Sequence, residues 1–196
     1  MIHLSCATGN PGKLREFQLA AGQAPVRIEL VPGFGELPPA VEDGATFEEN
    51  ALRKALHYSR YVTGPLFADD SGLEVDALGG APGVHSARFA GPGSGDEDNN
   101  RLLIETLRAL PGAGFPFPAR FVCRIALVEG ERVVGVYRGA VEGLILEAAS
   151  GAGGFGYDPL FFYPPFGCTF GEAGGARKFE VSHRGQALRA MLASLG

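Results

Sequence analysis

Cysteine is scarce in this 196-residue chain, and its three copies, Cys6, Cys123 and Cys168, are odd in number and far apart. None sits in a C-x-x-C or in a Cys/His pair with zinc-ligand spacing, which removes a structural zinc site and fits a reducing cytoplasm. Positive charge is also short: 17 Lys+Arg against 22 Asp+Glu leave a formal charge of -5. That balance repels nucleic acid unless a local basic patch overrides it, and favours a small anion chelated with a metal. No apolar run approaches the roughly 18 residues of a membrane span, and the opening MIHLSCATGN lacks the basic and apolar regions of a secretory signal. The expectation is a soluble intracellular protein with no membrane and no nucleic-acid partner. Catalytic signatures are missing as well. No G-x-S-x-G surrounds a serine, so Ser71 is a poor esterase nucleophile. The four histidines, His3, His57, His85 and His183, form no i, i+4 zinc pair, and TGNPGK is not a Walker A loop because Leu14 follows Lys13.

What remains is the pattern of one mixed α/β domain over residues 1–196. With 45% hydrophobic residues the chain is long enough to bury about 70% of the surface its unfolded form exposes. Ile2, Leu4 and Cys6 alternate with His3 and Ser5, predicting a strand that ends at ATGNPGK. Asn10 then reads as a helix cap and Pro11 as the first helical position. Thr46 and Glu49 make a capping box ahead of a helix over roughly 47–61. Leu66, Phe67 and Ala68 predict a short strand delivering Asp69 and Asp70 to its end, followed by a long glycine-rich loop. A helix opens near Asp96 and is stopped by Pro111. A hairpin turns at Glu129-Gly130-Glu131, GAGGFGYDPLFFY is a glycine-rich turn entering an aromatic strand, and Ser182 caps a terminal helix. Helices and strands intermix without repeats or an obvious linker, predicting a mixed β-sheet flanked by helices, in two lobes around a cleft.

Charge placement carries the chemistry. Lys13 falls in the first turn of a helix, where the dipole makes a cation unfavourable by about 0.3–1 kcal/mol. An anion bound by Thr8, Gly9 and Asn10 would offset this, as at phosphate sites on helix starts, and a solvated surface lysine is the plainer alternative. His183 and Arg184 repeat the oddity behind Ser182, where Arg184 could instead pair with an acidic neighbour. Carboxylates at a strand end suit Mg²⁺, which takes one or two from protein and completes its shell with water and phosphate oxygens. Asp69 and Asp70 point to opposite sides of a strand, so they need not share a site; a solvated acidic turn is the alternative, and Glu42 and Asp43 form a second acidic source. Lys54, judged by its helix alone, reads as a solvated face. Together these features predict a metal-dependent enzyme acting on a phosphorylated small molecule.

Five blocks, ATGNPGKLREF, TFEENALRKA, ADDSGLEVDALGGAPGVHSARFAG, GGFGYDPLFF and SHRGQAL, occur in order between residues 5 and 188. They resemble the successive signatures of the Ham1/RdgB family, the inosine triphosphate pyrophosphatases. The resemblance implies hydrolysis of ITP, dITP and XTP to the monophosphate and pyrophosphate, with Mg²⁺, by a cytoplasmic homodimer that cleanses the nucleotide pool. It implies a phosphate loop over Thr8, Gly9, Asn10, Pro11, Gly12 and Lys13, with Lys54 near the phosphates. Asp70 becomes the catalytic base, and Asp70 with Glu42 the metal ligands. Ser71, Phe155, Gly156, Tyr157, Asp158, Lys178, His183 and Arg184 become nucleotide contacts. Hypoxanthine and xanthine offer a 6-keto acceptor where adenine offers a donor, so donors from Lys178, His183 or Arg184 would favour them. The segment TFGEAGGARKFEVSHRG is richer in glycine and alanine than the family usually has before its lysine, and His85 stands where many members have tyrosine. Rival readings are a Maf-type nucleotide pyrophosphatase, against which SHRGQAL and FGYDP speak, and a non-catalytic nucleotide-binding module.

Overall fold

A computed structural model describes residues 2–22, 25–112 and 114–195. The strands are β1 (Ile2–Ala7), β2 (Val26–Leu30), β3 (Pro65–Val75), β4 (Phe117–Glu129), β5 (Arg132–Ile145), β6 (Phe161–Tyr163) and β7 (Cys168–Thr169). They form one mixed sheet of order β2-β1-β3-β4-β5-β6-β7. The helices are α1 (Pro11–Ala21), α2 (Phe47–Tyr58), α3 (Asp96–Arg108), α4 (Gly175–Val181) and α5 (His183–Ala193), with short 3-10 turns between elements. This is the α/β class that the sequence pattern predicts.

Local chemistry accounts for most boundaries. Asn10 Oδ1 accepts from Gly12 N and Lys13 N at 2.8 and 3.2 Å, capping α1. Thr46 Oγ1 caps α2 by accepting from Glu49 N at 3.1 Å. The reciprocal arm of that capping box shifts by one residue, since Glu49 Oε2 accepts from Ala45 N. Ser182 Oγ accepts from Gly185 N and starts α5. The β4–β5 hairpin turns over Gly130-Glu131, with Gly130 at φ 57°, a left-handed conformation that favours glycine.

One prediction needs correction. β3 does not end at the aspartates; it runs on through Asp69, Asp70, Ser71 and Gly72 to Val75. What ends is its partner, because β1 pairs with β3 only from Ser5↔Leu66 to Ala7↔Ala68. Beyond that point a turn takes over, with Ser86 Oγ accepting from Leu73 N at 2.9 Å. A Cβ on Gly72 would overlap the Ser86 side chain, so glycine marks a close approach rather than a loop.

The chain gathers into two compact units. One takes residues up to Ser71, Cys123–Ala140 and the stretch from Phe179; the other takes Gly72–Val122 and Val141–Lys178. In the first, alternation sorts side chains onto two sheet faces. Leu4, Cys6, Phe67, Cys123, Ile125 and Leu127 pack with Phe17 of α1 and Leu188 and Met191 of α5. Ala7, Leu66, Ala68, Ala126 and Val128 pack with Ala51, Ala55 and Tyr58 of α2. In the second unit Phe121, Phe161 and Phe170 form an aromatic core, with Phe121 and Phe161 ring centroids 4.5 Å apart.

Candidate active site

The two faces of the first unit decide where the aspartates go. Asp69 follows Phe67 by two residues and lies on the α1/α5 face; Asp70 follows Ala68 and lies on the α2 face. Phe17 meets Phe67 edge-on at 5.2 Å, and Lys13 Nζ meets Asp69 Oδ2 at 2.8 Å. Four residues of helix advance about 6 Å and two of strand about 6.6 Å, so a helix antiparallel to β3 makes both contacts at once. Asp69 is 1% exposed. Burial alone would raise its pKa, but Lys13 and Lys54 hold it below the ordinary carboxylate value. The unfavourable charge of Lys13 at its helix start is thus offset by a protein carboxylate, neither of the two partners considered from sequence. Two amides of the predicted phosphate loop are likewise engaged by Asn10, and Thr8 Oγ1 accepts from Asn10 N at 3.2 Å.

Asp70 behaves differently. Its Oδ2 accepts from Asn50 Nδ2 at 3.1 Å, and its Oδ1 from Ser71 N at 3.1 Å. Burial raises its pKa despite Lys13 and Lys54 nearby, giving a stronger base than an exposed aspartate. Lys54 is no solvated lysine: its Nζ lies 2.7 Å from Glu42 Oε2 and donates to the Asp69 carbonyl at 3.1 Å. Burial lowers its pKa, but Asp69 and Glu42 outweigh this and hold it above the usual value.

Arg184 is 5% exposed and pairs with Glu16 of α1. It also donates to His183 Nε2 at 2.9 Å and to Ser71 Oγ at 3.2 Å, while Ser71 Oγ donates to Asp69 at 3.1 Å. The Ser71 proton is therefore committed to Asp69. Four carboxylates, Glu16, Glu42, Asp69 and Asp70, accompany three cations, Lys13, Lys54 and Arg184. Among the described residues no group of three or more His, Cys, Asp or Glu side chains forms a metal cage. The donor set nevertheless fits a hard cation that keeps waters and phosphate oxygens: hard oxygen donors, one carboxylate excess, and Asp70 desolvated without full compensation.

The remaining predicted residues lie in the second unit. Asp158 Oδ2 accepts from Phe155 N at 2.9 Å and from Lys178 Nζ at 2.6 Å, with both side chains of that ion pair 2% exposed. Gly154 has φ 76°, and a Cβ there would collide with the Asp158 carboxylate. Lys178 Nζ also stands 5.1 Å from the Phe155 ring centroid. The first turns of α3 hold this loop: Asp96 Oδ2 accepts from Gly156 N at 2.6 Å, and Asn100 Nδ2 donates to Gly156 O at 3.1 Å. Tyr157 is anchored through its hydroxyl to Ser86 O at 2.8 Å. Sequence reasoning leaves Asn50 and Glu16 without a role, although TFEEN and KLREF contain them; it takes Asp96 only as the opening of a helix and passes over Asn100.

The sequence and the fold were compared with known proteins. The profile of the Ham1 family matches residues 4–194. The chain belongs to the Ham1 family. A dITP/XTP pyrophosphatase of Thermus thermophilus is 50% identical over 188 residues, covering 95% of this chain and 88% of the relative. One from Syntrophobacter fumaroxidans is 49% identical over 185 residues, covering 94% and 78%. A Ham1 protein structure from Coxiella burnetii superposes with a TM-score of 0.87 at 36% identity, covering 100% of this chain and 98% of that one. Every block that resembles the family lies within the matched span.

Proposed function

We propose that this Ham1-family chain hydrolyses non-canonical purine nucleoside triphosphates, ITP, dITP and XTP, to the monophosphate and pyrophosphate. The observation that carries the reading is the desolvated, raised-pKa Asp70 of β3 near Lys13 of α1 and Lys54 of α2, in a chain half identical to named dITP/XTP pyrophosphatases. Lys13 and Lys54 bind phosphate oxygens. Asp70 holds a water by one carboxylate oxygen and takes its proton as the water oxygen bonds to the α-phosphorus; the bond to the bridging oxygen breaks, and pyrophosphate leaves. Asn50 and the Ser71 amide orient Asp70 for this step. Asp70 and Glu42 would hold Mg²⁺, which when bound neutralises triphosphate charge and stabilises the leaving pyrophosphate.

Lys178, fixed by Asp158, suits the 6-keto oxygen of the base, and Phe155 supplies an apolar surface beside it. A charge-assisted hydrogen bond of this kind is worth about 1.5–3 kcal/mol, or roughly ten- to a hundred-fold over adenine. His183 and Arg184 act beside Ser71, where Arg184 is held by Glu16. The protein works as a cytoplasmic homodimer on this reading. Buried thiols at Cys6 and Cys123 suit a reducing compartment, and among the described residues no helix is long and apolar enough to cross a membrane. A substrate panel with pyrophosphate as the readout tests the proposal: ITP, dITP and XTP release it, and turnover of dTTP or UTP without ITP overturns the reading.

A further inference from the structure

The Asp69 carboxylate is the most deeply buried charge of the phosphate cluster, and the mechanism leaves it without a part. Its Oδ2 receives both Lys13 Nζ at 2.8 Å and Ser71 Oγ at 3.1 Å. Its backbone carbonyl receives Lys54 Nζ at 3.1 Å. Ser71 in turn accepts from Arg184 at 3.2 Å. One residue thereby touches both lysines assigned to the phosphates and, through Ser71, the arginine.

A lysine carries a flexible four-carbon stem and a point charge. Freezing such a side chain in a complex costs about 0.5–1.5 kcal/mol, and a group held in place before the ligand arrives avoids that cost. An ammonium has three donors, so the Asp69 bond leaves Lys13 able to meet a phosphate oxygen while anchored. We infer that Asp69 is a positioning residue that fixes Lys13 through its buried carboxylate, so that the polyphosphate chain meets a pre-arranged cation. The inference rests on the proposed function for the identity of the ligand.

A double-mutant cycle on Asp69 and Lys13 tests it, read as the affinity of inorganic tripolyphosphate by calorimetry at fixed Mg²⁺. Asparagine keeps the shape of Asp69 and an oxygen for the Ser71 hydroxyl, and it loses the charge. Asp69→Asn and Lys13→Met are each expected to weaken tripolyphosphate about tenfold, about 1.4 kcal/mol, and the double variant to be no weaker than Lys13→Met alone. With dITP, Asp69→Asn raises KM by about the same factor while kcat stays within about threefold, the mark of lost binding common to ground and transition states. Losses that multiply to about a hundredfold in the double variant, or an Asp69→Asn affinity equal to wild type, overturn the inference. Should the single asparagine variant not fold, Lys13→Met against the double variant, which lacks both buried charges, decides by the same criterion. Wild-type protein that binds tripolyphosphate through Lys13 but releases no pyrophosphate from ITP, dITP or XTP overturns the proposed reaction, and the cycle still decides the role of Asp69.

Discussion

The charge cluster around β3 and the turn that carries Lys178 solve the problem of buried charge in opposite ways. Around β3, three cations share four carboxylates; Lys13 and Lys54 keep 15% and 12% side-chain exposure, and Glu42 keeps 35%. Partners there can be exchanged, and an incoming polyanion or cation shifts the balance. At the turn, the ion pair between Lys178 and Asp158 is 2% exposed on both sides and shares its acceptor oxygen with a backbone amide. That geometry is fixed. The first region suits ligands whose charge changes during a reaction, and the second suits reading one fixed hydrogen-bonding group.

The sharpest break in this comparison comes from Asp70. Asp70→Asn keeps the Asn50 and Ser71 neighbours but removes the base, and kcat is expected to fall by about 10²–10⁴-fold. Pyrophosphate-release assays check this, and an undiminished rate excludes Asp70 as the base. Next in size, Lys178→Met takes the ammonium away from the buried Asp158 carboxylate and is expected to cost about 3–5 kcal/mol, as breaking a buried pair does. Denaturant midpoints measure that loss. A Lys178→Met/Asp158→Leu double variant recovers part of it, because the Phe155 amide still loses its acceptor, and fails to prefer ITP over ATP.

The paired aspartates give a subtler contrast. Burial raises Asp70 in the folded state, so its ionised form opposes folding above that pKa and the penalty vanishes below the unfolded carboxylate value. In metal-free buffer Asp70→Asn therefore raises the melting temperature at pH 7, by an amount that shrinks toward pH 3. Asp69 has the opposite sign. Lys13 and Lys54 overcome its burial and lower its pKa, so its contribution is present above the unfolded value near pH 4 and is lost as pH falls through the folded one. Melting curves of Asp69→Asn should show a deficit at pH 7 that closes in acid. The smallest effect belongs to the loop: Asn10→Ala removes the α1 cap and is expected to cost about 1 kcal/mol, seen as a small shift in denaturant midpoint.

Short-range rules are readable from the residues themselves. Asn10, Thr46 and Ser182 announce their helices because capping involves partners two or three positions away. The Gly130-Glu131 turn is equally local. The course of β3 is not readable, because Gly72 imitates a loop signal while its real constraint is Ser86, on a later turn of the chain. Lys54 looks like a surface residue since its partners, Glu42 and the Asp69 carbonyl, come from outside α2. Lys13 and Arg184 stand out in the sequence as cations at the wrong helix end. The carboxylates that balance them, Asp69 and Glu16, lie 56 and 168 positions away, beyond any periodic pattern. Family resemblance locates the Phe155–Asp158 turn, and nothing in its composition betrays that α3 supports it through Asp96 and Asn100.

Neighbouring residues on an extended chain look in opposite directions, so the acidic doublet works as a partition: one acid turns inward to α1, the other outward to Asn50. Inserting one residue between Ala68 and Asp69 would exchange the faces of the two carboxylates while leaving both in the chain, and is expected to silence the enzyme. The parity of β3 is thus as much a part of this site as the acids it carries.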